Sequence, residues 1–412
     1  MDRIFVSLSR LLLPCKSNSS SANKDLSIKY VILQLLLLCF LLAGCKQNVK
    51  EDSNAVYIID VDNQPTTSGV KFSSIFKNFK LVPLETNEEC LIGTITKITV
   101  FQDTIYVLDN FIAKALYVFD MNGKFIRSIG SRGQGPGEYN RPKDFAIDEK
   151  NQQIQLLDIS RVITYDMQGK FIKNTSLRNS ITSIACLDGI TYLDHHFSKN
   201  RELLSYLDDS EEVLMHLYHP PFEIGNITRF SRNEFVQTAN DIKLVKLYMT
   251  DIYSVKDKKM EPFIHFSTEK ELTIDELTKL NNDDKPDAFI SSKFIGADMY
   301  AENDILIKFN YWFNATNEIF LWKNDGNIIK PNYFLIDDMT GIFEFGAEYH
   351  CGYKNCLVTS FDASNKKIEL LQKGIRDNTV VVSEAERSAM EKVTDDSNPV
   401  LIFFECREKF KK

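Results

Sequence analysis

The sequence predicts an all-β fold, a β-propeller of four-stranded antiparallel blades. Three observations predict it. The first is a unit written twice between Ile105 and Ile172: Phe119-Asp-Met-Asn-Gly-Lys-Phe-Ile126 returns as Tyr165-Asp-Met-Gln-Gly-Lys-Phe-Ile172, 46 residues on. A period of ~40–50 residues made of short strands and tight turns is the signature of propeller blades. The second is the composition of the unit. Ile105–Asp109, Leu116–Asp120, Ile154–Asp158 and Val162–Asp166 are rich in Val, Ile, Leu, Tyr and Phe, as pleated, covered positions require. Asn122-Gly123 and Gln168-Gly169 offer the positive φ that a hairpin turn needs. The third is the segment between the copies. Gly130 to Pro142 holds four glycines and two prolines, too many helix breakers to be anything but a loop, and Phe145–Asp148 then reads as a strand. Each unit therefore has four strands, A to D.

The remaining elements follow in chain order. Lys24 and Lys29 precede an apolar run from Tyr30 to Leu42 that ends in Leu42-Ala-Gly-Cys45. A positive flank, a short apolar core and small residues before the cut make a secretory signal, and the run is short for a membrane span. Residues 1–44 are thus expected to be a signal peptide; the part before Lys24 is long for one and fits a start assigned too early. Residues 45–55 read as a polar tether, and 56–412 as the propeller. Val56–Ile59 and Phe79–Val82 are expected strands, with one helical turn between Lys71 and Lys77. Ile95–Phe101 opens blade one. Blade three is expected at 181–187, 190–193, 203–207 and 213–218. Blade four is placed at 227–230, 234–238, 252–255 and 263–267, and blade five at 294–300, 305–310, 319–323 and 328–335. Blade six has Phe343–Tyr349, Cys356–Ser360 and Val400–Phe404, but no fourth strand at the C-terminus. Phe79–Leu84 is available to fill that place, and unpaired edges are costly, so the reading is a six-bladed ring closed by an N-terminal strand. Thr273-x-x-Glu276 and Ser383-x-x-Glu386 are capping boxes that announce two short inserted helices, expected to cover propeller surface.

Charge narrows the function classes. The formal net charge is −8. Residues 1–44 carry five basic and two acidic residues, so the remainder stands at −11. An acidic chain without a basic block is a poor partner for nucleic acid or anionic lipid.

Candidate chemistry is thin. In a propeller the D-to-A and B-to-C loops share one face, and rigidly held loops commonly carry function. That face would gather Arg132, Tyr139 and Arg141 of the Gly-rich loop, His195 and His196, and Tyr311 and Trp312. The arginines could hold a carboxylate and the aromatic rings could stack on sugars or peptide side chains. The alternatives are cross-blade arginines and a Trp312 packed as core, since Phe309, Tyr311 and Phe313 alternate as in a buried strand. Gly130–Gly137 is followed by Pro142 and a strand, which excludes a phosphate cradle. His195-His196 and His216-x-x-His219 lack the company of a zinc motif, so no metal and no cofactor is expected. Cys351 and Cys356 flank a hairpin loop and could pair; buried free thiols are the alternative. Asp109, Asp120, Asp158 and Asp166 end strands, where Asp caps turns.

Phe119-Asp-x-x-Gly-Lys-Phe125, Ile129-Gly130, Gly133-x-Gly-x-Gly-x-Tyr139-x-x-Pro142 and Phe145-Ala-Ile-Asp148 together resemble an NHL-type blade. With Leu84-Glu-Thr86 and Asn398-Pro-Val-Leu-Ile402, the chain resembles the lipid-anchored six-bladed propeller proteins of diderm bacteria. Leu42-Ala-Gly-Cys45 looks like a lipobox. The resemblance implies that Cys45 is the lipidated first residue of a cell-envelope protein, on the outer membrane and facing periplasm or cell surface. A plain signal peptide with an incidental cysteine, or an uncleaved anchor, are the alternatives. The expected role is a binding or scaffolding module for a glycan, a peptide or a partner protein. The alternatives are a metal-dependent propeller hydrolase, lyase or lactonase, and a structural partner in a nutrient-uptake complex.

One expectation is directly measurable. Cys45→Ala should abolish acylation and release the protein from membranes, because several acyl chains on one cysteine anchor firmly. Mass spectrometry of the mature N-terminus checks it; an unmodified N-terminus beginning elsewhere refutes the assignment.

Overall fold

Strands B and C of the duplicated unit are apolar without alternation, and their surroundings explain why. The computed structural model describes residues 57–178, 180–195, 202–208, 211–217, 234–272, 276, 292–333, 335–344, 346–363 and 366–411. Blade one contains Lys97–Phe101, Thr104–Asp109, Ala115–Asp120 and Phe125–Ile129, and blade two Asp144–Asp148, Gln153–Asp158, Arg161–Asp166 and Phe171–Ser176, each strand paired antiparallel with the next. Ile105–Asp109 and Ile154–Asp158 are buried throughout. Both faces of these strands are covered, because each blade packs between two others. The outermost strands are more open at the rim: Phe125–Ile129 alternates part-buried and exposed residues up to buried Ile129, and Phe171–Ser176 exposes most of its residues.

Blade three is Ser183–Leu187, Ile190–Asp194, Glu202–Asp208 and Glu211–Leu217; blade five is Gly296–Glu302, Leu306–Phe313, Ala315–Trp322 and Ile328–Ile329. Six such antiparallel sheets form a six-bladed propeller. Blade four departs from the expectation. Its strands are Phe235–Gln237, Ile242–Leu244, Asp251–Lys256 and Lys259–Ser267. Ile242–Leu244 is a strand the sequence did not announce, being only three residues long, and the expected 227–230 strand falls outside the described residues. Tyr57–Asp60 adds a fifth strand, parallel to Lys259–Ser267 in the register Tyr57↔Ile264. The chain then passes blade five, where Asn332 N donates to Thr67 O and Phe72 N to Ile336 O, and reaches blade six.

Blade six is Tyr349–Tyr353, Cys356–Phe361, Val400–Cys406 and, outermost, Phe76–Pro83. Its first strand starts at Tyr349 and not at Phe343. Gly346 adopts φ +86° and breaks the extended run, leaving Phe343 to pack in the apolar cluster. The closing strand pairs as expected, Phe79↔Phe404 through Pro83↔Val400. Asn398 locks it: its Oδ1 accepts from Ile92 N at 2.8 Å, and its Nδ2 donates to the carbonyls of Glu85 and Cys90 at 2.6 Å each. Asn398 N donates to Thr86 Oγ1, and the Glu85 carboxylate accepts Phe125 N of blade one. The motifs Leu84-Glu-Thr86 and Asn398-Pro thus bind each other.

Among the described residues, three helices with defined bounds accompany the blades. α1, Phe72–Ile75, is the expected single turn. α2, Lys367–Arg376, was missed, although Ile368, Leu371 and Ile375 recur at helical spacing and are buried. α3, Glu384–Met390, carries the full Ser383/Glu386 capping box. Its Glu386 Oε1 also accepts Leu81 N at 2.8 Å, so α3 covers the outer edge of blade six. The Thr273 capping box falls outside the described residues. Phe404 lies within 6.4 Å of the rings of Phe72, Phe76, Phe79, Phe343 and Tyr349, in a cluster that joins α1, α2, blade five and blade six. Burial of each such ring contributes ~1.5–3 kcal/mol.

Two outcomes follow from this closure. Deleting Asn398–Cys406 should abolish cooperative melting of the whole ring, because it opens two strand edges. Asn398→Ala leaves two buried carbonyls and one N–H without their partner, at ~1–3 kcal/mol per group, and should lower the melting temperature by several degrees in a thermal scan.

Candidate functional site

Asp109 shows how the loop face is held. It ends strand B of blade one, is fully buried, and accepts the backbone N–H groups of Gly93, Thr94, Phe111, Ile112 and Ala113. Burial alone would raise its carboxyl pKa; the backbone donors outweigh burial and hold it below the usual carboxylate value. Asp158 repeats the arrangement in blade two, accepting Asn140 N, Arg141 N and the Arg161 guanidinium. Asp120 and Asp166 accept amides of their own hairpin turns. These carboxylates fix loops.

The Gly-rich loop is a built turn. Ser131-Arg132 pairs in parallel with Glu138-Tyr139, and Glu138 Oε2 accepts Gly135 N at 2.7 Å. A Cβ on Gly130 would lie 2.4 Å from the Tyr165 hydroxyl, and that residue takes φ +65°. Tyr139 is buried beneath the loop in the core between blades one and two, while Arg132 and Arg141 stand exposed above it. The tyrosine therefore presents no surface to a ligand; the arginines do.

His195 begins the B-to-C loop of blade three and is buried. Its Nε2 lies 2.7 Å from Ser205 Oγ and 3.2 Å from Glu212 Oε1. Burial lowers its pKa against the pull of Glu212, which favours neutral imidazole at physiological pH. His196 and His219 lie outside the described residues, as does the side chain of His216. Beside His195, Asp194 ends strand B as Asp109 and Asp158 do, with a different partner: Lys246 Nζ is 2.7 Å from Asp194 Oδ1 and 3.6 Å from Glu234 Oε2, and lysine and aspartate side chains are both fully buried. Burial pushes the Asp194 carboxyl up to about 6 despite Lys246. Burial works against the Lys246 ammonium, and the two carboxylates outweigh it, so its pKa rises. The repeat is too blurred beyond Ser176 to single out Asp194, and Lys246 lies 52 residues on.

Tyr311 and Trp312 face different ways, as successive strand residues must. Tyr311 is fully buried in the core between blades four and five; its hydroxyl accepts Lys330 Nζ at 3.0 Å. Trp312 is half-buried. It packs against Leu247, Leu272 and Ile295, and its indole Nε1 donates to Asp298 Oδ2 at 3.1 Å. Arg132, Tyr139 and Arg141 thus lie together between blades one and two, whereas Trp312 belongs to blade five across the ring. The described candidates sit near the same ends of their blades, but Tyr139, His195 and Tyr311 are buried and the remainder do not form one cluster.

At the inner strands, Lys97 Nζ reaches Asp144 Oδ1 at 2.7 Å, and Asp144 Oδ2 accepts Ser183 Oγ at 2.5 Å and Ile184 N at 2.9 Å. Blades one, two and three are thereby tied at their first strands. The described cysteines, Cys90, Cys186, Cys351, Cys356 and Cys406, are free thiols. Burial pushes Cys351 up to about 12 and Cys356 up to about 11, far from the thiolate character of a nucleophile.

Fold and face together define a six-bladed propeller with its loops held by buried carboxylates on one side. A family model described as Domain of unknown function (DUF4934) matches residues 56–405, and the chain belongs to that family. Comparison with curated proteins finds no match. Among solved structures, the chain is similar to a Bacteroides fragilis protein named as exported, at 19% identity and TM-score 0.63, covering 85% of this chain and 99% of that one. A Bacteroides thetaiotaomicron protein of unknown function aligns at 8% identity and TM-score 0.44, over 79% and 76%. The extracellular domain of a one-component system of the same species aligns at 11% identity and TM-score 0.36, over 63% of this chain and 30% of that one. The first of these similarities speaks to the fold.

The buried triad gives a pH-dependent expectation. Lys246→Met removes the cation between Asp194 and Glu234, at ~3–5 kcal/mol for breaking a buried pair. A carboxyl whose folded pKa exceeds its unfolded value penalises the fold above that folded pKa, and the penalty fades as pH falls through it. The variant should therefore melt well below the parent at pH 8, with a smaller gap at pH 5. A gap independent of pH would show that the buried carboxylates are not its cause.

Proposed function

We propose that this chain is a binding or scaffolding propeller of the cell envelope, tethered through a lipid on Cys45 to the outer membrane and holding its ligand, a glycan or a peptide, on the loop face. The observation that carries the reading is Trp312. It is half-buried on a rigid blade, its indole N–H is fixed by Asp298, and its apolar neighbours Leu247 and Ile295 come from blade four and the blade-five entry. A ring held this way offers flat area at little entropic cost, the usual anchor for sugars and aromatic peptide side chains. The leader with Leu42-Ala-Gly-Cys45 supports the address, as does the name of the exported Bacteroides fragilis protein.

Glycan and peptide arrays, followed by thermal shift with each hit, test the proposal. A hit should raise the melting temperature of the parent. Trp312→Ala should leave the unliganded melting temperature within a few degrees and weaken the hit by tenfold or more. A large loss of stability with unchanged binding would assign Trp312 to the core instead.

A further inference from the structure

Among the described residues, large apolar side chains stand exposed at several places. Four of them gather where the loops of blades one and two meet: Leu91, Phe111, Ile112 and Ile159 are 54%, 62%, 66% and 51% exposed. They belong to three separate loops that the structure joins. A Cβ on Gly93 would fall 2.4 Å from Ile112 Cβ, so the loop that carries Leu91 sits directly against Ile112. Asn110 Nδ2 donates to Lys143 O at 3.0 Å, and Lys143 Nζ donates to Ile159 O at 3.4 Å and Ile181 O at 3.0 Å. The apolar surface of Leu91, Phe111 and Ile112 is therefore linked to Ile159 through the polar side chains of Asn110 and Lys143. It is held from beneath by Asp109 and Asp158, whose bonds to Phe111 N, Ile112 N and Arg141 N fix the loop tips. Contiguous exposed apolar area on a monomer marks an interaction site.

Charge at the Ile159 end of this surface runs against that of the chain. Arg141 is exposed, and no described carboxylate pairs with its guanidinium. Lys143 donates to backbone carbonyls. Its pKa is lowered first by burial and then by the like charge of Arg141. The nearby Asp158 is already held by Arg161 and by two backbone amides. Glu88 and Glu89 are exposed at the opposite end, beside Leu91. Two under-neutralised cations on a protein of net charge −8 form a local attraction with a range of ~8–10 Å in physiological salt. An extended anionic surface, such as a membrane, would also meet the acidic remainder of the molecule. A short segment would meet only the patch.

Resting on the reading of this chain as a binding module, we infer that the surface formed by Leu91, Phe111, Ile112, Arg141, Lys143 and Ile159 docks a short acidic peptide segment of a partner protein. An apolar side chain of that segment lies over Phe111 and Ile112, and its carboxylates meet Arg141 and Lys143.

Three fluorescein-labelled synthetic 12-residue peptides test this against the folded protein by anisotropy: one with Phe and Leu set among Glu and Asp, one with Lys in place of the acids, and one with Ser in place of the apolar residues. The acidic apolar peptide should bind, and the other two should bind at least tenfold more weakly. Phe111→Ser and Arg141→Glu alter exposed side chains and should keep the melting temperature within a few degrees. Each should weaken the acidic apolar peptide about tenfold, the scale of an interface anchor. Equal binding of the Lys peptide, or full binding by both variants, would overturn the inference. So would co-sedimentation with phosphatidylglycerol vesicles that Phe111→Ser abolishes, which would make the surface a lipid contact, or a concentration-dependent dimer lost in Phe111→Ser, which would make it a self-contact. Peptide binding lost in Trp312→Ala but kept in both variants would preserve the binding module and reject this surface.

Discussion

One pairing carries the ring. Phe76–Pro83, from the N-terminal part of the propeller, supplies the outermost strand of a blade whose other strands end at Cys406. A propeller sheet left open exposes backbone donors and acceptors along two edges, and water or another chain must then satisfy them. Asn398 reinforces the pairing by bonding Ile92, Glu85 and Cys90 across it. The surroundings add to the closure. Arg407 Nε donates to the carbonyls of Ser73 and Phe76, and Trp322 Nε1 donates to Arg407 O. The same region holds the largest apolar cluster, with α2 packed upon it.

A second device repeats and then changes. An aspartate at the end of strand B fixes loop amides in blades one and two, and in blade three the same position faces a buried lysine. The two solutions differ physically. Backbone donors neutralise a carboxylate in place and hold two loops at once. A buried ion pair must offset the desolvation of both partners, and Asp194 shows the strain of that in its raised pKa. At blades one and two the loop tips are fixed in this way, and apolar side chains stand exposed on them.

Such a scaffold separates stability from recognition. Strands covered on both faces supply the core, while the loops above them vary without disturbing it. Membership of the DUF4934 family gives the architecture, and the functional reading has to come from the face itself. Among the described residues, Trp312 on blade five and the apolar surface with Arg141 and Lys143 on blades one and two are two distinctive areas of it.

The sequence by itself determined the fold class, the four-strand unit, the closing role of Phe79–Leu84, the single turn of α1 and the cap of α3. Each of these is local chemistry: strand composition, Gly turns, a capping box, or a missing strand that Phe79–Leu84 was available to supply. It placed the candidate residues on loops of one face, since loop position follows from strand order. Burial was decided only by the tertiary structure. Tyr139 and Tyr311 went into the core and Trp312 stayed half exposed, because which side of a strand is covered depends on the neighbouring blade. Lys246 met Asp194 and Asn398 met the 85–92 loop through contacts distant in sequence, which no pattern announces. The strand Ile242–Leu244 was too short to show a period, and Tyr57–Asp60 found its place only against the edge that blade four offered.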